Sequence, residues 1–509
     1  MPKSRPILQG ALILTLTGIA SRIIGFFYRI FLSHTIGAEG MGIYQMIFPI
    51  YTLCFTLCAA GLQTALSRTI AARAAQGDEK GAFDTFLSGL IMSLLFSCAA
   101  AFALYRCSGY AAVHILKEPR CAPLLQMLPF AIPSAALHSC TSAYYYARKK
   151  AGIPSFCQLL EQLVRVGSSY LIWTVMLSKG IPPSPILAVG GMRAGECASA
   201  LTSLVVIQLE FSRKGYRMLS LSRPFARCRE LLTLSAPLTA NRLMINLLNS
   251  SEAVLIPSRL KSFGMSSSEA LSVYGVFTGM ALPLILFPGA ITHSVSAMLL
   301  PTVAQDQAAG RISRIAGTIE RTVKYCLLLG IFFLGVFVFY GKDLGRYVFS
   351  SIQAGTFITI LAFICPFLYL NTTLASILNG LGKTSLCFIQ NLLGLLVRIA
   401  FVQFAVPVLG IRGYLYGILC SELLVTLLCL VFLYRQVPFS FNAFDSLLKP
   451  CAVMAVTTGC GLFLEPAARI FSFVSPLFLL AAQLLILAGL YLLFLLMFGI
   501  LRLPARARR

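Results

Sequence analysis

The sequence encodes an all-α, polytopic membrane protein, and three observations say so. Of 509 residues, 58% are hydrophobic and only 11% are charged, a balance foreign to water-soluble domains of this length. The apolar residues gather into about fourteen runs of roughly 20 residues, the length at which an α-helix crosses the hydrocarbon core of a bilayer. The first twelve runs also fall into two halves whose connecting stretches echo one another in order.

The first run, 8–33, follows MPKSRPILQG. It is too long for the apolar region of a secretory signal and lacks a small-residue cleavage site, so it is expected to be retained as a span. Further runs lie at 42–66, 84–106, 122–147, 154–178 and 185–211. The longest hydrophilic connection, SRKGYRMLSLSRPFARCRE (212–230), then separates these six from the next six, at 230–257, 270–300, 320–341, 354–380, 385–408 and 412–434. The runs at 446–464 and 472–501 lie outside the repeat. The expected organisation is a six-helix lobe over 1–211, a basic cytoplasmic linker over 212–229, a second six-helix lobe over 230–436, and two additional helices with a basic tail over 437–509.

Three pairs of stretches carry the repeat. ALSRTIAARAAQGDEKGA (65–82) matches AMLLPTVAQDQAAGRIS (297–313), YYYARKKAGIPSFCQLLEQLVRV (144–166) matches SILNGLGKTSLCFIQNLLGLLVRI (376–399), and GGMRAGECASALTSLVVI (190–207) matches LGIRGYLYGILCSELLVTL (409–427). An even number of spans per repeat leaves both lobes in the same orientation, related by a pseudo-twofold axis along the membrane normal.

The formal charge of +24 raises the question of nucleic acid. Most of the 41 basic residues, however, fall in the N-terminus and in alternate loops. That is the positive-inside bias, which puts both termini in the cytoplasm of a cell-membrane protein and adds some attraction to anionic lipid headgroups. No nucleic-acid partner is expected. The sixteen cysteines form no CxxC and no Cys/His cluster, so they read as small buried hydrophobes and no metal site is expected. There is no phosphate-binding Gly-rich loop with its Lys. The acids of the outward loops, Glu39, Glu118, Glu269, Asp343 and Glu465, stand isolated, so no enzyme chemistry and no catalytic residue is expected.

The ionisable residues inside the apolar runs are the candidates for function. Gly18, Arg22, Gly25 and Arg29 recur on one helical stripe, since seven residues return to nearly the same face. Arg22 sits near the middle of its span, where an arginine costs about 2.5–3.5 kcal/mol even on insertion scales, so it should face a cavity. Arg29, about 10 Å further along, faces the same cavity or snorkels to the outer surface. Arg242 is the second half's counterpart. Arginines facing a shared cavity would take up a phosphate, because guanidinium meets it bidentately. Glu252, with Asn249 nearby, is either the ligand of a coupling cation, Na+ or H+, or the partner of one of the arginines. Glu161 and Arg165 stand at i, i+4 with the acid first, a self-neutralised structural pair. Arg398 matches Arg165 in the repeat but has no acid four residues earlier, so it needs an acid from elsewhere or an anionic ligand. His138 and His293 read as hydrogen-bonded core residues.

Two stretches carry a resemblance. SRIIGFFYRIFLSHTIGAEGMGIYQMIFPIY (21–51) and IPSRLKSFGMSSSEALSVYGVFTGMALPLILFPGAIT (256–292) resemble the stage V sporulation protein B family, polysaccharide-type flippases of the multidrug/oligosaccharidyl-lipid/polysaccharide exporter superfamily, related to the lipid II flippases. The resemblance covers essentially the whole chain. It implies two lobes of six helices in a V plus two further helices, and a cargo of undecaprenyl-pyrophosphate-linked saccharide, a peptidoglycan precursor for spore cortex, moved from the inner to the outer leaflet by alternating access. Membrane lipids and cell-wall synthesis enzymes are the expected partners. Arg22 matches the first arginine of the family's motif and Arg29 is displaced by one residue from the second. Where related lipid II flippases carry further charges, this chain has Ile30, a position near Thr52, and His293. The alternatives are a flippase for another lipid-linked oligosaccharide, a cation-coupled drug antiporter of the same fold, and a non-transporting membrane scaffold.

Overall fold

The computed structural model describes residues 5–215, 224–470 and 475–501, with side chains described except at 5–12, 14 and 462–470. Glu465, part of the basic linker (216–223) and the tail from 502 therefore lie outside what is described. Every regular element among the described residues is helical. By length and composition, nine helices among them can cross a membrane, or ten if the bent pair Pro119–Phe130 and Ile132–Ala147 is one span. This falls short of about fourteen for two physical reasons. One helical stretch, Thr15–Ala75, runs 61 residues, about 90 Å at 1.5 Å per residue and so some three bilayer cores long. Other helices, such as Pro224–Ser262, carry too many polar side chains to pass on hydropathy alone.

The chain divides into two compact units, Met1–Lys261 with Met265–Gly275, and Ser262–Gly264 with Val276–Arg509. The first contains α1 (Arg5–Phe55), α2 (Gly61–Ala75), α3 (Glu79–Tyr110), the short α4 (Ala122–Met127), α5 (Ile132–Ala147), α6 (Gly152–Ser178), α7 (Ile186–Arg213), α8 (Pro224–Ser262) and α9 (Ser267–Gly275). It thus holds the six runs assigned from sequence to the first lobe, and α8 and α9 as well.

The long first helix is broken at Gly37, whose φ of 68° and ψ of −175° lie where a side chain would be strained. Beyond the break, α1 crosses α9 at backbone contact: a Cβ on Gly42 would overlap the Leu271 carbonyl, and one on Gly275 would overlap the Ala38 carbonyl. A π-helical turn, Thr56–Ala60, then joins α1 to α2. Against it lies α8, with Asn246 donating to the Thr56 hydroxyl at 2.6 Å.

Ion pairs gather at the two ends of this unit. At one, Arg148 forks onto both oxygens of Glu79 at 3.0 and 2.7 Å, Arg227 meets the fully buried Asp84 at 2.8 Å, and Arg73 meets Glu230 at 2.6 Å. At the other, Arg120 bridges Glu39 (2.5 Å) and Glu118 (2.7 Å), while Ser267 donates to Glu118 at 2.8 Å. Glu39 and Glu118 are therefore not isolated, as the sequence suggested; the guanidinium of Arg120, two residues after Glu118, joins them. Nor is Glu269 idle. Its carboxylate accepts from the Ser266 amide at 2.9 Å and its own amide donates to the Ser266 hydroxyl, a reciprocal cap on α9. Burial pulls the Glu118 carboxyl upward, but hydrogen bonds from Arg120 and Ser267 outweigh it and hold it below the usual carboxylate range. This cluster's contribution is complete above that range and is lost as pH falls through the depressed value.

The second unit contains α10 (Leu282–Leu286), α11 (Gly289–Ala308), α12 (Ile312–Phe349), α13 (Ile352–Leu361), α14 (Cys365–Gly380), α15 (Thr384–Phe404), the one-turn α16 (Val406–Leu409), α17 (Ile411–Gln436), α18 (Lys449–Ile470) and α19 (Pro476–Met497). It opens on another π-helical turn, Val276–Ala281, at the place in its half where Thr56–Ala60 stands in the first. The helices beyond the repeat, α18 and α19, pack on α12. Met454 fills the space over Gly335, and the Tyr491 hydroxyl donates to the Leu328 carbonyl at 3.2 Å.

The crossing of α1 and α9 sets a first test. A Gly275→Leu chain has to move one helix off the other, and overpacking of this kind costs about 1–3 kcal/mol. Its thermal transition in detergent should fall by several degrees relative to wild type, whereas Gly152→Ala, where the added carbon meets nothing within 4 Å, should leave it in place.

Candidate functional site

The face of α1 that bears the two arginines is open. An added Cβ on Gly18 or Gly25 would meet no atom within 4 Å. Arg22 is exposed between them and makes no hydrogen bond or ion pair among the described residues. About one turn beyond Gly25, Arg29 is half-buried and within electrostatic reach of Tyr44 on the same helix beyond the break. Arg242 on α8 is anchored. Its guanidinium donates to the Ala60 carbonyl at 2.7 Å and to the Thr64 hydroxyl at 3.2 Å. That carbonyl belongs to the π turn, whose wide i→i+5 register leaves backbone groups for outside partners. Glu252 lies one face round, buried and near Tyr274 of α9, while Asn249 is exposed.

The first unit also contains a cavity of about 370 Å³ between α1, α2, α5, α6 and α7, whose lining includes the polar side chains of Tyr51, His138, Ser139, Gln158, Glu161 and Glu196. Arg165 donates to Glu161, and its guanidinium also lies 3.8 Å from Glu196, on α7. The Tyr51 hydroxyl donates to Glu196 at 3.0 Å. His138 is held between Ser203 (3.0 Å) and Ser142 (3.5 Å). Sequence reasoning found Glu161 and Arg165 but missed Glu196 and Tyr51. The signal that could have found Glu196 is the pair of small residues beside it, Gly191-x-x-x-Gly195. A Cβ on Gly195 would stand 2.7 Å from the Glu161 carbonyl, and one on Gly191 2.6 Å from the Arg165 carbonyl. Helices joined through such a pair run backbone to backbone, so the acid following Gly195 reaches across to α6.

The second unit repeats the device. Gly417 of α17 presses against Phe401 of α15 and Gly413 against Ala405 just after it, and α17 carries Glu422 into electrostatic reach of Arg398. The acid that Arg398 lacked in its own helix comes from the neighbouring one. Asn371 of α14 donates to Glu422 at 2.7 Å, and Thr426 donates to Asn371 at 2.8 Å. His293 is exposed on α11.

Helices long and apolar enough to span, charged pairs buried inside them, and a repeated two-unit plan define a multi-pass membrane protein of the transporter type. The chain belongs to the polysaccharide biosynthesis protein family, whose model matches residues 7–307; residues 260–403 also match the MatE family. It is 27% identical over 504 residues to Stage V sporulation protein B of Bacillus subtilis (strain 168), covering 97% of this chain and 96% of that one. With the Lipid II flippase MurJ of the same organism it shares 22% identity over 427 residues, 78% of this chain and 76% of the relative. Among solved structures the fold is similar to Lipid II flippase MurJ in an inward closed conformation (TM-score 0.71, 15% identity, 96% of this chain and 98% of that one). It is also similar to the Vibrio cholerae MATE transporter VcmN in its bent form (TM-score 0.59, 13% identity, 85% and 96%).

Breaking the second unit's pair should be costly. Removing one partner of a charge pair inside a helix bundle leaves the other uncompensated, while replacing both by apolar residues is often neutral, and Glu422 also holds the Asn371 amide. Glu422→Leu should therefore lower the thermal transition sharply, and Arg398→Leu combined with it should restore most of the loss in a double-mutant cycle.

Proposed function

We propose that this protein is a flippase that moves an undecaprenyl-pyrophosphate-linked saccharide from the inner to the outer leaflet by alternating access, the cargo being a peptidoglycan precursor used for spore cortex. One observation carries this reading: Arg22, in the middle of an apolar run, stands exposed on a glycine-lined face and is given no counter-charge among the described residues. A guanidinium so placed is stabilised by an anion that arrives from outside the chain. A pyrophosphate on a lipid carrier supplies that anion at membrane depth and fits the fork of an arginine. In this reading Arg29 and Arg242 add to the positive field. Arg242, already fixed to the π turn, offers a positioned charge rather than a mobile one.

The family match and the names of the relatives support the lipid-linked class. The distribution of basic residues supports cytoplasmic termini, so that cargo is loaded from the side where its carrier is charged with sugar. The two-lobe division at the basic linker 212–229 belongs to the same reading. The cargo is anionic, so an inside-negative potential favours its outward movement, and no chemical step is required of the protein. A cation-coupled antiporter is the second reading, favoured by the MatE match and by the acidic cavity beside Arg165; it gives Arg22 nothing to bind.

The reading is tested in proteoliposomes carrying fluorescent undecaprenyl-pyrophosphate disaccharide, by following quenching of the label that reaches the outer leaflet. Wild-type protein should accelerate the movement over empty liposomes, more so with an imposed potential. A charge-assisted hydrogen bond is worth about 1.5–3 kcal/mol, so Arg22→Ala should slow it roughly ten- to a hundredfold. An Arg22→Ala protein that moves the cargo at the wild-type rate removes the arginine face from the mechanism.

A further inference from the structure

We propose that Glu161 and Glu196 form a proton site within the first unit, in which one proton is held on Glu196 and exchanged with water through the cavity that both residues line. The argument begins with charge. Two carboxylates, from α6 and α7, share one guanidinium, that of Arg165. Arg165 is in direct contact with Glu161, which leaves that pair neutral. Glu196 is 3.8 Å from the same guanidinium and 7% exposed, so its charge is the surplus one. A second carboxylate charge this close to the first, out of water, is removed at least cost by protonation.

The other groups facing the pair do not supply the missing positive charge. From α1, Tyr51 donates its hydroxyl proton to Glu196 Oε1, and Tyr28 and Tyr44 lie near Arg165. Arg29, also on α1, is within electrostatic reach of Tyr44. From α5, His138 is engaged by two serine hydroxyls and Tyr146 lines the cavity. With Oε1 accepting from Tyr51, the proton is placed on Oε2, where it forms an O–H bond and leaves behind the conjugate base of the water that delivered it.

A second observation points into the same cavity. Ser139 is 5% exposed, lines the cavity, and its hydroxyl has no hydrogen-bond partner among the described residues. A buried hydroxyl at a polar cavity wall is satisfied by water, and water there joins the pair to the cavity's far lining at Tyr146 and Pro154, the last turn of α5 and the first of α6. In the second unit the corresponding arginine, Arg398, lies within electrostatic reach of Glu422, whose carboxylate accepts from the uncharged Asn371, a differently built site that serves as a control for the first. Use of the proton to drive transport rests on the flippase reading; the site itself does not.

The test needs no cargo. Infrared spectra of purified protein at neutral pH should show the carbonyl stretch of a protonated carboxylic acid in wild type, equally in sodium and in potassium salts, and absent from Glu196→Gln. Glu422→Gln should retain it. Tyr51→Phe, which removes the donor to the same carboxyl, should shift the band without abolishing it. The thermal transition gives a second reading. A native state that holds one proton more than the unfolded chain loses a factor of about ten in its folding constant per unit rise in pH across the titration, and Glu196→Gln should flatten that slope. The proposal is overturned if wild type shows no such band, if the band survives Glu196→Gln, or if sodium in place of potassium removes it, which would assign the site to a metal cation.

Discussion

A guanidinium set among apolar helices must find a counter-charge within a few ångströms or stand in contact with water or a ligand, and the arrangement of both units follows from how that demand is met. In each, an acid from a neighbouring helix reaches the arginine, in the first unit beside Glu161 of the arginine's own helix and in the second as Glu422 of α17, and it arrives because that helix has no side chains in the way. Gly191 and Gly195 bring α7 onto the backbone of α6; Gly413 and Gly417 bring α17 onto the end of α15. The glycines and the ion pairs are parts of one solution. Without the close approach, Arg165 and Arg398 would face only their own helices, and the second has no acid there.

Arg22 differs in kind. Its glycine neighbours on the stripe, Gly18 and Gly25, adjoin open space rather than another backbone. The same residue type that elsewhere admits a helix here leaves a face uncovered. Arg242 shows a third way of holding a charge, on a carbonyl of the π turn, which orients the guanidinium without neutralising it. Three arginines within apolar runs thus occupy distinct electrostatic states: Arg165 is compensated, Arg242 is oriented, and Arg22 is exposed on its helix face.

The sequence made the helical class legible because the apolar runs are long and the residues that interrupt them few. Within a helix it also made Glu161 and Arg165 legible, since i, i+4 is a local rule. It was silent where contacts cross between helices. The acid on Arg398 comes from the next long helix, and Glu39 seemed isolated because Arg120, which joins it to Glu118, lies beyond a whole helix from it. The π turn that receives Arg242 has no composition of its own; TLCAA reads as ordinary helix. The small-residue spacing in GMRAG was visible and was the one mark that pointed across a helix boundary.

The π turn at Thr56–Ala60 has a consequence for how this helix tolerates change in length. A π turn is a helix that has absorbed one surplus residue, so the segments before and after it keep the relation that a plain α-helix one residue shorter would give them. Removing a single residue within Thr56–Ala60 would therefore rewind the turn into plain α-helix with Leu62, Leu66 and Ile70 still facing the core. What it would remove is the widened turn whose Ala60 carbonyl receives Arg242. A further added residue has no such outlet and would turn α2 by about 100°, carrying those side chains out of the core and Gly61 away from the Thr239 hydroxyl. A one-residue gap there in the alignment of a homologue would mark a protein whose second span keeps its packing face but has no opened carbonyl to hold an arginine.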